Sequence, residues 1–197
     1  IQPYHYYQNK AVFDPVQVGV DNRTLYMPWA TNLLPDQFPE FNLKESLCFR
    51  DMTSVHWVGS VCDGEMGNLL ELQQYAQQAI QENVQFKVMR LPDKSARRAI
   101  HHSRTAPALQ GHWQVEKGYI PCRVFKNISY GRIPGTNSPT VHTLFDGKLS
   151  LSSPKDMFRA EQEFESSRTQ EDYDHLVNLV KTQHTYLNRI QRILEVL

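Results

Sequence analysis

What this chain lacks narrows it first. No apolar run approaches the roughly 18 residues needed to cross a bilayer, so no segment reads as a membrane-spanning helix. Neither sign of charge dominates, since Lys+Arg and Asp+Glu number 21 each. That balance argues against a broad nucleic-acid-binding or polybasic membrane surface, although a local basic cluster can hide inside a neutral total. Cysteine is scarce and scattered, at Cys48, Cys62 and Cys122. An odd count with no Cys-x-x-Cys or Cys/His pattern predicts reduced, mostly buried thiols in a cytoplasmic setting, with neither a disulfide framework nor a metal site. There is no internal repeat and no low-complexity tract. The opening Ile1-Gln2-Pro3-Tyr4-His5-Tyr6-Tyr7 is aromatic and polar without the apolar stretch of a signal peptide. The missing initiator Met is expected of a processed chain or a piece of a longer one. Without a secretory signal, the triplets Asn22-Arg23-Thr24 and Asn127-Ile128-Ser129 carry little weight as glycosylation acceptors.

What is present is ordinary in bulk and particular in pattern. A length of 197 residues, 40% hydrophobic and 21% charged, fits a soluble globular chain with one sizeable core. Residues 1–50 read as a lead-in or linker segment, rich in Tyr, Pro, Asn and Asp, with one strand-like run at 24–30. From residue 51 to 197 strands and helices alternate. Strands are predicted at 55–61, 84–89, 106–109, 132–135 and 149–152. Helices are predicted at 67–83, at 93–104 with Asp93 or Ser95 as cap, and at 122–130 with Gly131 as the stop. Further helices are expected at 138–145, where Ser138 caps and Pro139 opens, at 154–164, and as one long terminal helix from 170 to 197. Strands separated by helices imply right-handed crossovers, hence an α/β fold with a Rossmann-like parallel sheet and helices on both faces. Ligands in such folds sit beyond the carboxyl ends of the strands, here at loops 59–67, 90–94, 110–121 and 135–139.

Four segments in those loops could carry chemistry. Gly59-Ser60-Val61-Cys62-Asp63-Gly64-Glu65-Met66-Gly67 has three glycines that permit close approach to the backbone, but it is neither G-x-G-x-x-G nor a P-loop. An ordinary strand–helix turn explains it equally well. Arg123, Lys126 and Asn127 fall at i, i+3 and i+4, on one side of an otherwise apolar helix. Arg offers a planar fork for phosphate oxygens and Lys a point charge, although a solvated face is the commoner meaning of two cations. Gly135-Thr136-Asn137-Ser138 opens a helix and could present backbone N–H groups to an anion, or merely cap that helix. Among the histidines, His112 stands out because Gly111-His112-Trp113-Gln114 lies at the ligand side; no Ser/His/Asp, Cys/His or metal-binding spacing exists.

The pattern Gly118-Tyr119-x-x-x-Arg123-x-Phe125-x-Asn127-x-x-x-Gly131-x-x-x-Gly135-Thr136 resembles the signature in the donor-binding half of GT-B glycosyltransferases, nearest in flavour to the CgeB-like and group-1-like families. Tyr26-x-Pro28-Trp29-Ala30 and Trp57-Val58-Gly59-Ser60 are similar to that half's lead-in and first strand. The resemblance follows the order of elements over residues 24–197 and is close in pattern over 115–140. It implies a single donor-binding domain of GT-B type with a long C-terminal helix, binding a nucleotide diphosphate sugar without a metal or other cofactor. It also implies cytoplasmic glycosyl transfer to a glycan or other acceptor, with a further domain or chain supplying the acceptor site. By position, Arg123, Lys126 and Asn127 would serve the diphosphate, and Asn137 and Ser138 would donate backbone N–H groups to it. Gly59 and Ser60 would line the approach, and Tyr119 would lie near the sugar.

The chain departs from the family at its paired glutamates, Glu-x7-Glu. Lys126 takes the first place, and the second falls on Pro134, or on 138–141 if the loop shifts. This leaves the sugar open, deoxysugars such as rhamnose or fucose included. Asp63 and His112, with Glu65, are proton acceptors by loop position only. The competing expectations are a non-catalytic nucleotide- or anion-binding module and another sugar-nucleotide enzyme such as an epimerase. The lack of a G-x-G-x-G-like loop counts against a methyltransferase.

Overall fold

A computed structural model describes residues 17–18, 25–40, 42–48 and 50–196. The aromatic opening, the triplet at 22–24 and the start of the run at 24–30 lie outside the described residues. Among those described, a two-residue antiparallel ribbon, β1 (Gln17–Val18) with β2 (Leu25–Tyr26), precedes a short α1 (Leu43–Cys48). The body then runs β3 (Ser54–Val58), α2 (Leu69–Gln81), β4 (Gln85–Met89), α3 (Asp93–His102), α4 (His112–Glu116), α5 (Cys122–Ser129), β5 (Gly135–Thr136), α6 (Pro139–Leu144), β6 (Ser150–Leu151), α7 (Met157–Ser167), α8 (Gln170–Gln183) and α9 (Tyr186–Val196).

The fold is mixed α/β and its body strands pair in parallel. β3 pairs with β4 from Ser54↔Gln85 to Val58↔Met89, and β5 pairs with β6 at Gly135↔Ser150 and Thr136↔Leu151. The chain at 104–108 lies between the two pairs. Arg104 N donates to Ser54 O at 3.0 Å, Ala108 N donates to Gly135 O at 2.9 Å, and Ala108 bridges Thr136 in parallel. Pro107 brings no N–H to a ladder, which is why this stretch is a bridge rather than a full strand. Side chains finish its pairing: His56 N donates to Ser103 Oγ, and Asn127 Nδ2 donates to Ala106 O, at 2.8 and 2.7 Å.

Alternation along these segments places helices on both sides. Val55, Trp57 and Leu109 pack with Leu72, Tyr75 and Ala79 of α2 and Met157 and Phe158 of α7. Ala108, adjacent to Leu109 and so facing the other way, packs with Val124, Phe125 and Ile128 of α5, Val141 and Leu144 of α6, and Leu176 and Val180 of α8. Tight C-caps stop the helices at this layer. Gly131 adopts φ 89° after α5, with Gly131 N donating to Ile128 O and Arg132 N to Asn127 O. That is the Schellman arrangement the sequence predicts at Gly131.

Several expectations need correction. The terminal helix is two helices, broken at His184-Thr185. There Thr31 N donates to His184 O at 3.0 Å and Tyr186 N donates to Thr31 O at 3.3 Å. The same contact makes Ala30, Thr31 and Leu33 part of the core, so this stretch of the lead-in segment is more than a linker. Helix α3 is capped by neither Asp93 nor Ser95, because Pro92 occupies the N-cap. The expected loop at 110–121 contains α4, and the helix expected at 154–164 begins at Met157 and runs to Ser167. The thiols are free but not mostly buried: Cys48 and Cys62 are exposed and Cys122 is half-buried. No helix among the described residues is long and apolar enough to cross a membrane.

Candidate functional site

The site is built where β3 ends. Arg123, on the first turn of α5, reaches back across the strand terminus and donates from Nη1 to Val58 O at 2.7 Å. Its guanidinium carbon lies 3.3 Å from the centroid of the Trp57 ring, a cation over the face of the indole. Gly59, at φ 135°, makes room for this: a Cβ there would stand 2.6 Å from Arg123 Nη2. The side chain is only half-buried by surface exposure, yet its guanidinium is desolvated, and burial lowers its pKa to about 10. It stays protonated at neutral pH. Among the described residues, no carboxylate forms an ion pair with it.

Lys126, half-buried, and Asn127 follow on the same helix face. Asn127 is 2% exposed, and its Nδ2 is used on Ala106 O while its Oδ1 is buried without a hydrogen-bond partner. Gly59, Ser60, Arg123, Lys126 and Asn127 line one cavity of about 330 Å³, closed on its far side by Ala96 and Ile100 of α3 and by Tyr130. An arginine with no ion-pair partner, a lysine and a buried amide around one hollow suit an anionic group of phosphate size.

The remaining expected residues lie elsewhere. The Asn137 side chain is engaged on both sides of one backbone unit, accepting from Gln110 N at 3.0 Å and donating to Gln110 O at 2.7 Å. Ser138 is buried; its N–H donates to Thr136 Oγ1 and its Oγ accepts from Val141 N. Its N–H is therefore engaged within the chain. Asn137 and His112 instead line a second, open groove of about 670 Å³, together with Glu71, Gln74, Ser152 and Ser153. His112 is exposed, and its backbone N–H donates to Glu71 Oε1 at 3.1 Å. Asp63 and Glu65 are exposed in the loop after β3, where Asp63 Oδ1 accepts from Gly64 N at 2.7 Å. Tyr119 is half-buried, its carbonyl oxygen accepting from Gln110 Nε2, and its side chain is not part of the cavity wall.

Gly67, one of the three glycines that permit close approach, and Gly135 both lie against protein. A Cβ on Gly135 would lie 2.6 Å from Glu161 Cγ, and one on Gly67 would lie 2.1 Å from Cys62 O. Glu161 is buried opposite the strand ends that hold the cavity. There it accepts from Gly135 N at 2.8 Å and from the Tyr75 hydroxyl at 2.6 Å, and burial raises its pKa to about 7.

Sequence reasoning missed Asp93, which lines the Arg123 cavity beside Leu91. Its signal was Pro92: a proline at the N-cap frees the following aspartate from capping. No group of three or more His, Cys, Asp or Glu suited to a metal ion occurs among the described residues. No family model, curated protein or solved structure matches this chain.

Proposed function

We propose that this chain is the donor-binding domain of a glycosyltransferase, Rossmann-like and of GT-B type, and that the Arg123 cavity receives the diphosphate of a nucleotide sugar. The observation that carries this reading is the convergence of Gly59, Ser60, Arg123, Lys126 and Asn127 on one cavity. The layer order β4–β3–(104–108)–β5–β6 supports it. The chain moves outward from β3 to β4 and then crosses to the other side, so the order reverses beside β3. In open parallel sheets, ligands bind at the carboxyl ends beside such a reversal. Arg123 and Lys126 would stabilise the negative charge that develops on a leaving diphosphate, which needs no metal. The acceptor and its proton acceptor would come from a further domain or chain.

A thermal-shift series with UDP, GDP and dTDP tests this. A ligand at about 100 times its Kd stabilises by roughly 2.7 kcal/mol. At least one of the three should raise the Tm, and Arg123→Ala with Lys126→Ala should abolish the rise. No rise with any of them sinks the reading.

A second reading, a non-catalytic nucleotide- or anion-binding module, is favoured by one observation: Asp63 and His112 are both absent from the cavity wall. Release of nucleoside diphosphate from a nucleotide sugar, measured with and without added acceptors, separates the two.

A further inference from the structure

Charge is unevenly spread around the cavity. Helix α3 presents Lys94, Arg97 and Arg98 to solvent, and β4 with the turn after it adds Lys87 and Arg90. Asp93 is the one carboxylate on α3. Among the described residues, none of these five cations forms an ion pair. Because the whole chain has a formal net charge of zero, the compensating acids lie elsewhere.

The arrangement works against α3 itself. Lys94 faces Arg97 and Arg98 at i+3 and i+4, where like charges repel. It also stands in the first turn, where the helix dipole disfavours a cation. A partner of opposite charge would offset both terms. The Arg123 cavity lies against the same helix. Ala96 and Ile100, on the inner face of the same helix, form its wall, and Arg97 stands 5.6 Å over the ring of Tyr130, which also lines it.

We infer that the exposed cations of β4 and α3 form an electrostatic collar that draws a nucleoside diphosphate into the Arg123 cavity. This inference rests on the reading of that cavity as a diphosphate site. The collar acts on encounter, since field lines from like charges concentrate at a cleft with low-dielectric walls and raise the association rate by about 10- to 1,000-fold. Arg123 and Lys126 hold the ligand once it is inside. The two groups therefore separate kinetically: collar residues set the on-rate and its salt dependence, cavity residues set the off-rate.

Stopped-flow fluorescence with N-methylanthraniloyl-labelled GDP and UDP tests this on the triple variant Arg90→Gln, Lys94→Gln, Arg98→Gln. Arg97 is kept because it packs on Tyr130. At low ionic strength the variant's on-rate should fall about tenfold with its off-rate unchanged. The difference should vanish near 0.5 M salt, where the screening length drops to a few ångströms, about 4 Å. Arg123→Met should do the reverse, raising the off-rate and sparing the salt dependence. Binding with an unchanged on-rate in the triple variant overturns the collar and leaves the diphosphate reading standing. Failure of the folded wild-type chain to bind either probe overturns both.

Discussion

The guanidinium of Arg123 lies over the indole of Trp57, 3.3 Å from its centroid, while its Nη1 ties down the last carbonyl of β3 at Val58. One side chain thus links α5 to the strand terminus and leaves its charge facing a cavity. Stacking and a charged hydrogen bond each contribute about 1–3 kcal/mol to such a residue, and desolvation of an uncompensated cation opposes them by a similar amount. Arg123 should therefore be nearly neutral for stability while strengthening anion binding. Arg123→Met, which keeps most of the volume and drops the charge, should change urea-unfolding stability by less than about 1 kcal/mol and reduce any nucleoside diphosphate shift. A loss of several kcal/mol would make Arg123 a structural residue instead.

Two buried groups predict how stability varies with pH. His184 is 1% exposed, stacks on Phe125 at 4.8 Å, and accepts at Nδ1 from Arg189 Nη2 at 2.8 Å. Burial, and then the Arg189 charge, lower its pKa from 6.5 to about 3. A lowered pKa means the folded chain resists a proton that the unfolded chain accepts. Its contribution is complete above pH 6.5 and is lost as pH falls toward 3, at up to about 1.4 kcal/mol per pH unit. Glu161 acts in the opposite sense. Its pKa rises from 4.5 to about 7, so its contribution is complete below pH 4.5 and is lost as pH climbs through 7. Between 4.5 and 6.5 the two slopes cancel, giving a plateau that falls on either side. Glu161→Gln should flatten the alkaline limb, and His184→Gln the acid limb. Urea-unfolding midpoints from pH 4 to 8 read both, and limbs unchanged in the variants would rule out these groups as the cause.

Asp93 sits among the cations as the one acid on the cavity wall. A carboxylate facing an incoming phosphate costs on the order of 1 kcal/mol when water screens the pair. Asp93→Asn should therefore tighten binding of inorganic pyrophosphate by roughly fivefold, as read by isothermal titration calorimetry. Weaker binding in the variant would mean that Asp93 orients the site through a hydroxyl or amide partner rather than repelling the ligand.

What the sequence made legible was local. The apolar run at Val55 to Val58, the stripe Leu72, Tyr75 and Ala79, and the stop at Gly131 follow from spacing and backbone preference alone, and each stands where expected. Arg123, Lys126 and Asn127 share a face because one helix turn forces them to. The illegible parts depend on segments far apart in the chain. The Asn137 side chain looked available for an anion because its partner, Gln110, lies 27 positions away. Nothing local marks Gly135 as the contact of Glu161, which arrives from 26 positions away. The apolar periodicity from Tyr173 to Leu194 runs on past His184, so nothing in the stripe itself marks the break that Thr31 makes.

That break has one local signature, the sequence Thr185-Tyr186-Leu187-Asn188. Thr185 Oγ1 accepts from Asn188 N at 3.3 Å, and Asn188 Oδ1 accepts from Thr185 N at 2.9 Å, a reciprocal pair like a capping box with Asn in the place of Glu. Asn188 Nδ2 also donates to Thr182 O at 2.9 Å, fastening the new helix to the last turn of α8. Thr185 is fully buried, so water cannot replace the lost bonds. Thr185→Ala should cost about 1–2 kcal/mol, and Thr185→Ser, which keeps the hydroxyl, should recover most of it. If instead the two helices fuse when the cap is removed, Thr185→Ala should gain helical signal near 222 nm and lose little stability. The Thr31 backbone, which donates to His184 O and accepts from Tyr186 N, is untouched by either substitution and holds the break open, so a loss of stability without a gain of helix is the expected result.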